Sequence, residues 1–451
     1  MRGPTTHYHV HQSTPNQENT DTSHTKEAFW PDPNARINPT CKTLEARAAT
    51  TSSLCDKFIQ QPLQSLHISS QIMTSPLARV IAFYLPQFHP IPENDEWWGP
   101  GFTEWTNVAK AKPLFRGHRQ PRLPADLGYY DLRVPETRQK QAEMARNAGV
   151  EAFCYWHYWW GNGHRLLERP FEEVRDSGEP QFPFCLAWAN QTWTGIWHGN
   201  PKSVLMEQTY PGRADEEAHF RWAQKAFEDP RYVKVDGKPM FVIFAPHEMP
   251  STEAFVEHWR ELAARAGYPG LFLVAMSHQS KPVDRYLAPI LSPFDAVTLL
   301  VPQDYLNTIA RATEKSDLRR RLKELNFGYR LRSIRPKSLK RPTRIQFEDV
   351  VAHALEDMPP GERFLPSILP RWDNTPRSAH RGVVYEGDTP ELFRSYLQKA
   401  VDRVADYSPD HRIVFVKAWN EWAEGNYLEP DLVDGHAYLN VIRSVVLGPA
   451  K

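Results

Sequence analysis

The segment Asn420-Glu421-Trp422-Ala423-Glu424-Gly425 sets two carboxylates three positions apart among tryptophans, with a glycine directly after them. On a continuing β-strand such residues point to opposite faces, so the two acids share one site only if the strand ends there, which Gly425 permits. Glycosidic bond cleavage needs this kind of pair: a proton donor for the leaving oxygen and a second carboxylate that assists attack at the anomeric carbon. Crowding two carboxyls among indoles raises the pKa of one of them and leaves an acid and a base together at neutral pH. Glu421 and Glu424 are therefore the candidate catalytic residues. Two exposed loop glutamates are the plain alternative, and an ExxE by itself does not decide between them.

The same mixture of aromatic and polar side chains recurs at five places. The run RVIAFYL and the loop after it contribute Tyr84, His89, Trp98, Glu104 and Trp105. VEAFCYWHYWW contributes His157 and Tyr158; FCLAWANQTWT contributes Trp188, Asn190 and Trp193; RWDNTPR contributes Trp372, Asp373 and Arg377; Trp419, Asn420 and Trp422 flank the glutamates. A sugar ring presents an apolar C–H face and a fringe of hydroxyls, which an indole or phenol beside an amide, imidazole or carboxylate matches. These are the candidate substrate-binding residues. Taken singly, each has a structural reading: an aromatic filling space, His157 as a satisfied buried histidine, Asp373 and Arg377 as a loop brace.

Such residues need a scaffold that gathers strand ends. Apolar, strand-like runs lie at Arg79–Leu85, Val150–Tyr158, Phe182–Ala189, Met240–Ala245, Leu271–Met276, Asp295–Val301, Phe364–Leu369 and Arg412–Trp419. Helical patterns between and after them include Glu136–Asn147, Asp215–Phe227, Thr252–Ala266, Pro390–Ala405 and Ala437–Leu447. Continuous apolar strands alternating with helices predict an α/β fold with a parallel sheet covered on both faces, and eight repeats predict a closed (β/α)8 TIM barrel. In that fold, active residues sit at the C-terminal ends of the strands, where every cluster above falls. A doubly wound open sheet is the alternative; it usually carries a glycine-rich phosphate loop, and no GxGxxG or GxxxxGK[ST] is present.

The chain has 451 residues, 41% hydrophobic and 24% charged, with mean hydropathy -0.59 and no apolar run long enough to cross a membrane. Lys plus Arg (54) equals Asp plus Glu (54), which argues against a nucleic-acid partner. Nine of its 15 Trp fall between Trp97 and Trp197, the stretch that carries three of the clusters. Cys41, Cys55, Cys154 and Cys185 form no CxxC, which suggests free thiols; no metal or cofactor is expected, since FYLPQFH offers a lone His89 where metallohydrolase barrels show HxH. The first twenty residues hold no apolar leader, so a cytoplasmic location is the expectation.

Residues 1–77 are rich in Ser, Thr, Asn, Gln and Pro and are read as a disordered extension; the barrel occupies 78–451. The HxHxH at His7, His9 and His11 is read as an incidental polar tract, and Met73 as the natural start. An insertion at 311–344, after the sixth strand, carries thirteen Lys/Arg against three Asp/Glu, so the rest of the chain is net negative. A solvated helix and loop is the simple reading of it, and peripheral contact with an anionic membrane or glycan carrier the sharper one.

The stretches YLPQFHPIPENDEWWGPGFTEWTNV, DLRVPETRQKQAEMARNAGVEAFCYWHYWW, PFCLAWANQTWT, WDNTPR and WNEWAEGNYLEP together resemble the WbsX-like family, barrel proteins encoded with surface-polysaccharide genes. That family is in turn similar to the glycoside hydrolase family 99 endo-mannosidases. The resemblance runs from about Arg79 to the C-terminus and implies a barrel acting on an oligosaccharide or polysaccharide in lipopolysaccharide or capsule metabolism. By analogy with the hydrolases, Glu424 would be the general acid/base, and Glu421 would assist the sugar's own 2-hydroxyl through an anhydro-sugar intermediate, with retention. The chain departs from the family's pattern at TWTGIWHG, with His198 where an acidic residue is common. A retaining glycosidase or transglycosylase, a true glycosyltransferase and a non-catalytic glycan-binding barrel are the three expectations.

Overall fold

Apolar runs without alternation must be covered on both faces, and they are. The computed structural model of the chain describes residues 76–195, 200–277, 288–299, 341–356 and 358–448. Among them, eight strands run parallel: β1 (Arg79–Tyr84), β2 (Val150–Trp159), β3 (Phe184–Trp188), β4 (Lys238–Ile243), β5 (Phe272–Ser277), β6 (Ala296–Leu299), β7 in two pieces (Phe364–Leu365 and Ser367–Ile368), and β8 (Ile413–Val416). Each pairs in parallel with the next from β1 to β6. The first piece of β7 continues on β6, the second pairs with β8, and β8 pairs with β1 through Arg79↔Ile413 to Ala82↔Val416, closing the ring. The predicted (β/α)8 TIM barrel is the observed fold. Pro366 divides β7 because it has no N–H to give the ladder; its carbonyl still accepts from Phe415 N at 2.9 Å.

Helices between the strands form the outer layer. Pro135–Ala148 begins with proline at its first turn and stops at Gly149, which takes the left-handed conformation (φ 85°). Its Ala142, Ala145 and Ala148 are buried, while Lys140 and Glu143 face water. Thr252–Arg265 and Pro390–Val404 start at Ser251 and Thr389, whose hydroxyls accept from Ala254 N and Leu392 N. The short helix Arg169–Ser177, which the hydrophobic pattern does not announce, is framed by Pro170 and Gly178 and buries Phe171 and Val174. Cys154 and Cys185 lie opposite one another on β2 and β3 as buried free thiols.

Residues 1–75 of the predicted 1–77 tail, with His7, His9, His11, Met73, Cys41 and Cys55, lie outside the described residues, as do His198 and the basic insertion up to residue 340. The end of that insertion enters the short strand Thr343–Gln346, which pairs with Val383–Glu386, and its Arg344 pairs with Glu386 and lies over the Phe115 ring. No helix among the described residues is long and apolar enough to cross a membrane.

Candidate active site

β8 stops at Val416, short of the predicted Trp419, and the chain then turns across the barrel mouth. The Asn420 amide fastens the turn to the end of β1, accepting from Leu85 N at 2.8 Å and donating to Leu85 O at 3.0 Å. Asn420–Glu421 pairs antiparallel with Asn426–Tyr427, and the single 3₁₀ turn Trp422–Glu424 joins them. Ending the strand in this way brings both glutamates to one cleft of about 480 Å³, the size range of small-ligand sites. Gly425 makes the reversal at φ 57°, and a Cβ there would stand 2.9 Å from Asp373 N. We expect Gly425→Ala to cost about 2 kcal/mol or more, combining left-handed strain with a backbone clash, measured by urea unfolding.

Glu421 and Glu424 are both buried, in different surroundings. Arg377, from the short helix Thr375–Ser378 after β7, donates from Nη1 to Glu424 Oε1 at 2.7 Å, and Lys417 Nζ stands 3.8 Å from Glu424 Oε2. Burial works against the Glu424 charge, but Arg377 and then Lys417 overcome it and hold this carboxyl well below the usual range. Burial pushes Glu421 well above that range, and the charge on Glu424 adds to the effect. These opposite shifts favour one proton on the pair at neutral pH, held by Glu421.

Of the predicted binding residues, Trp98, Glu104, Tyr158, Trp193 and Arg377 line this cleft with the two glutamates. Trp193 stands edge-on to Tyr158 at 5.0 Å, so the indole and the phenol form one corner. Eleven others are turned elsewhere. Tyr84 points outward and donates to Gln141 at 2.7 Å, and His89 is buried on Pro86 O, its pKa lowered to about 4 by that burial. His157 packs behind β2, its Nε2 2.9 Å from that of His219, and burial lowers its pKa to about 3. Trp188 donates to Trp159 O, and the Asn190 amide braces Ala245 and Tyr210.

Asp373 is a loop brace, accepting from His118, Gln120 and Thr375, and Trp372 packs under Lys417. Trp419 and Trp422 donate to buried Glu429 at 2.9 and 2.6 Å, Trp105 packs on Trp422 and donates to Tyr130 O, and Asn420 clamps β1. These eleven support the cleft without lining it.

The sequence reading missed Lys417, Trp156, Gln191 and Glu248, which also line the cleft. Strand alternation reveals one of them: on β2 Trp156, like the predicted Tyr158, faces the cleft while His157 and Trp159 face the helices. Lys417 is a cation directly after an apolar strand. Gln191 donates to Glu248 at 2.9 Å, linking the loops after β3 and β4 at the rim.

Residues 80–442 match the family described as Glycosyltransferase WbsX. The chain belongs to this family. Two curated relatives from strains of Xanthomonas campestris pv. campestris, both described as uncharacterized protein WxcX, are 36% identical to the WbsX-family chain over 371 residues, 82% of its length. The chain spans about half of those relatives, the match covering 50% of each. Among solved structures, a glycoside hydrolase-like protein superposes with TM-score 0.50 at 15% identity, covering 82% of this chain and 94% of that one. An endo-alpha-mannosidase of family GH99 from Bacteroides thetaiotaomicron gives TM-score 0.43 at 15% identity, with 82% and 96% covered.

Proposed function

We propose that this chain is a carbohydrate-active enzyme of surface-polysaccharide metabolism that breaks a glycosidic bond with Glu421 and Glu424 and passes the sugar, with retention, to water or to another hydroxyl. One observation carries the reading: two buried carboxyls on a single turn at the floor of a cleft walled by indole and phenol rings, one hydrogen-bonded to Arg377 with Lys417 3.8 Å away, the other governed first by burial and its neighbour's charge. The family description and the aromatic lining favour a glycan as substrate.

Glu421, holding the proton, donates it to the leaving oxygen as the C–O bond breaks. Glu424, already ionised, takes the proton of the sugar's 2-hydroxyl as O2 closes on the anomeric carbon. The incoming hydroxyl then gives its proton to Glu421, and Glu424 returns its own to O2, so both carboxyls end as they began. These roles are the reverse of those the resemblance implies; the charge environment is the reason for choosing them.

The test is to incubate purified full-length chain with α-manno-oligosaccharides and fragments of bacterial surface polysaccharide, with and without nucleotide sugars, and to weigh the products by mass spectrometry. Shortened or rearranged chains without a nucleotide sugar are expected. Product only in its presence means a nucleotide-dependent glycosyltransferase, the reading the family's description favours. Binding with no product in either arm means a glycan-binding barrel.

A further inference from the structure

Three strand ends far apart in sequence meet in one row of charges. Glu104, first residue of the helix Glu104–Ala109 after β1, is buried, and its Oε2 accepts from Arg377 Nε at 3.1 Å and is ion-paired with Nη2 at 3.0 Å. With those two nitrogens engaged, the remaining terminal nitrogen, Nη1, reaches Glu424 Oε1 at 2.7 Å. A planar guanidinium held along one edge has its other end aimed, which a lysine at the same place does not reproduce. The helix of Glu104 and the helix of Arg377 both pack on the Trp422–Glu424 turn, so the row is held by backbone contact as well as by charge.

We propose that Glu104 and Arg377 are the positioning residues of this site: Glu104 fixes the guanidinium, and the guanidinium fixes Glu424 as the charged member of the pair. The inference rests on reading Glu421 and Glu424 as the reacting groups, and it deepens that reading by adding the device that makes two chemically identical side chains unequal. Facing Glu424 are Arg377 from the loop after β7, Lys417 from the end of β8, Glu421 from its own turn and, through Arg377, Glu104 from the loop after β1. Tyr158 of β2 stands close enough to feel Glu421, Arg377 and Glu104; the Asp373 carboxylate, although its backbone N–H bonds Glu424 O, is turned to His118 and Gln120. Removing a positive charge from this row raises carboxyl pKa values, and removing a negative one lowers them.

The experiment is a carboxyl-carbon NMR titration of full-length protein labelled with ¹³C at glutamate Cδ, the two resonances assigned from Glu421→Gln and Glu424→Gln. No substrate is needed. In the parent protein the Glu424 midpoint lies below the Glu421 midpoint. We expect Arg377→Gln to raise the Glu424 midpoint by about 1 unit or more, Arg377→Lys to restore part of that shift, and Glu104→Gln, which keeps an acceptor but loses the charge, to lower the Glu421 midpoint. The opposite signs are diagnostic, because the charge row moves both midpoints up in Arg377→Gln and both down in Glu104→Gln, whereas a merely loosened site brings the two midpoints toward one another in either variant. Unmoved midpoints in Arg377→Gln and Arg377→Lys, or shifts of one sign in Arg377→Gln and Glu104→Gln, overturn the proposal. Should Arg377→Gln fail to fold, Arg377→Lys and Glu104→Gln decide it. Full glycan turnover by Glu421→Gln and Glu424→Gln would sink the proposed function instead, without touching the titration.

Discussion

Glu421→Gln and Glu424→Gln each lower turnover of a natural glycan by about 100- to 10,000-fold while leaving glycan binding measurable by calorimetry. The range is that of a single positioned acid or base, and the amide is isosteric, so the cleft keeps its shape. The two variants separate on an aryl mannoside whose dinitrophenyl leaving group needs no proton. If Glu421 is the donor, Glu421→Gln regains turnover on that substrate and Glu424→Gln stays slow on both. The reverse pattern returns the proton to Glu424, as the family resemblance implies, and refutes the assignment made from charge. The parent enzyme's kcat/KM profile follows from the same pair. Glu424 loses its charge only in acid below the usual carboxylate range, where activity falls, and Glu421 gives up its proton only on the alkaline side, where activity falls again. A plateau across neutral pH is expected, and an optimum confined to pH near the ordinary glutamate pKa would contradict it.

Glu429→Leu is the second large effect, on stability. Glu429 is buried and accepts four hydrogen bonds from uncharged donors: Gln141 Nε2 and Trp419 Nε1 on Oε1, Tyr130 OH and Trp422 Nε1 on Oε2. A leucine fills the space and leaves four buried donors without that acceptor, at about 1–3 kcal/mol each when fully stranded. Relaxation recovers part of this, so a loss of about 4 kcal/mol or more in urea unfolding is expected. Burial first, against those four donors, sets its pKa at about 7, so Glu429→Gln tests charge apart from shape. The amide keeps one acceptor oxygen but turns an NH₂ toward two donors, and a smaller loss is expected. A Glu429→Leu protein as stable as the parent would show that the two indoles are held by packing alone.

The barrel was legible in the sequence because its strands are continuous apolar runs, and a run buried on both faces is hard to mistake. The site was legible as a set of strand ends and only in part as a set of side chains. WHYWW reads as five comparable groups, yet alternation sends His157 and Trp159 to the helix layer and Trp156 and Tyr158 to the cleft. Applying that period to β2 would have removed His157 from the binding set and added Trp156. Trp419 and Trp422 misled for another reason: an indole beside an acid suggests a sugar platform, but here both N–H groups are spent on Glu429, a residue the motif itself does not flag. The Glu104–Arg377–Glu424 row was beyond sequence reasoning. Its members are separated by 273 and 47 positions, and only the closed ring of strands brings them within bonding distance.

The proline that splits β7 has a consequence for how the ring comes apart. A barrel has no free edge, so breathing must begin wherever neighbouring strands share the fewest ladder bonds. Among the described residues, two of β7 hold β6 and two hold β8, against longer pairings on the opposite wall. Amide exchange should therefore be fastest along this seam and slowest at β1 and β2. Arg377 is carried by the loop that leaves β7, so whatever loosens the seam also loosens the cation's grip on its carboxylate, tying transient opening of the wall to the readiness of the chemistry.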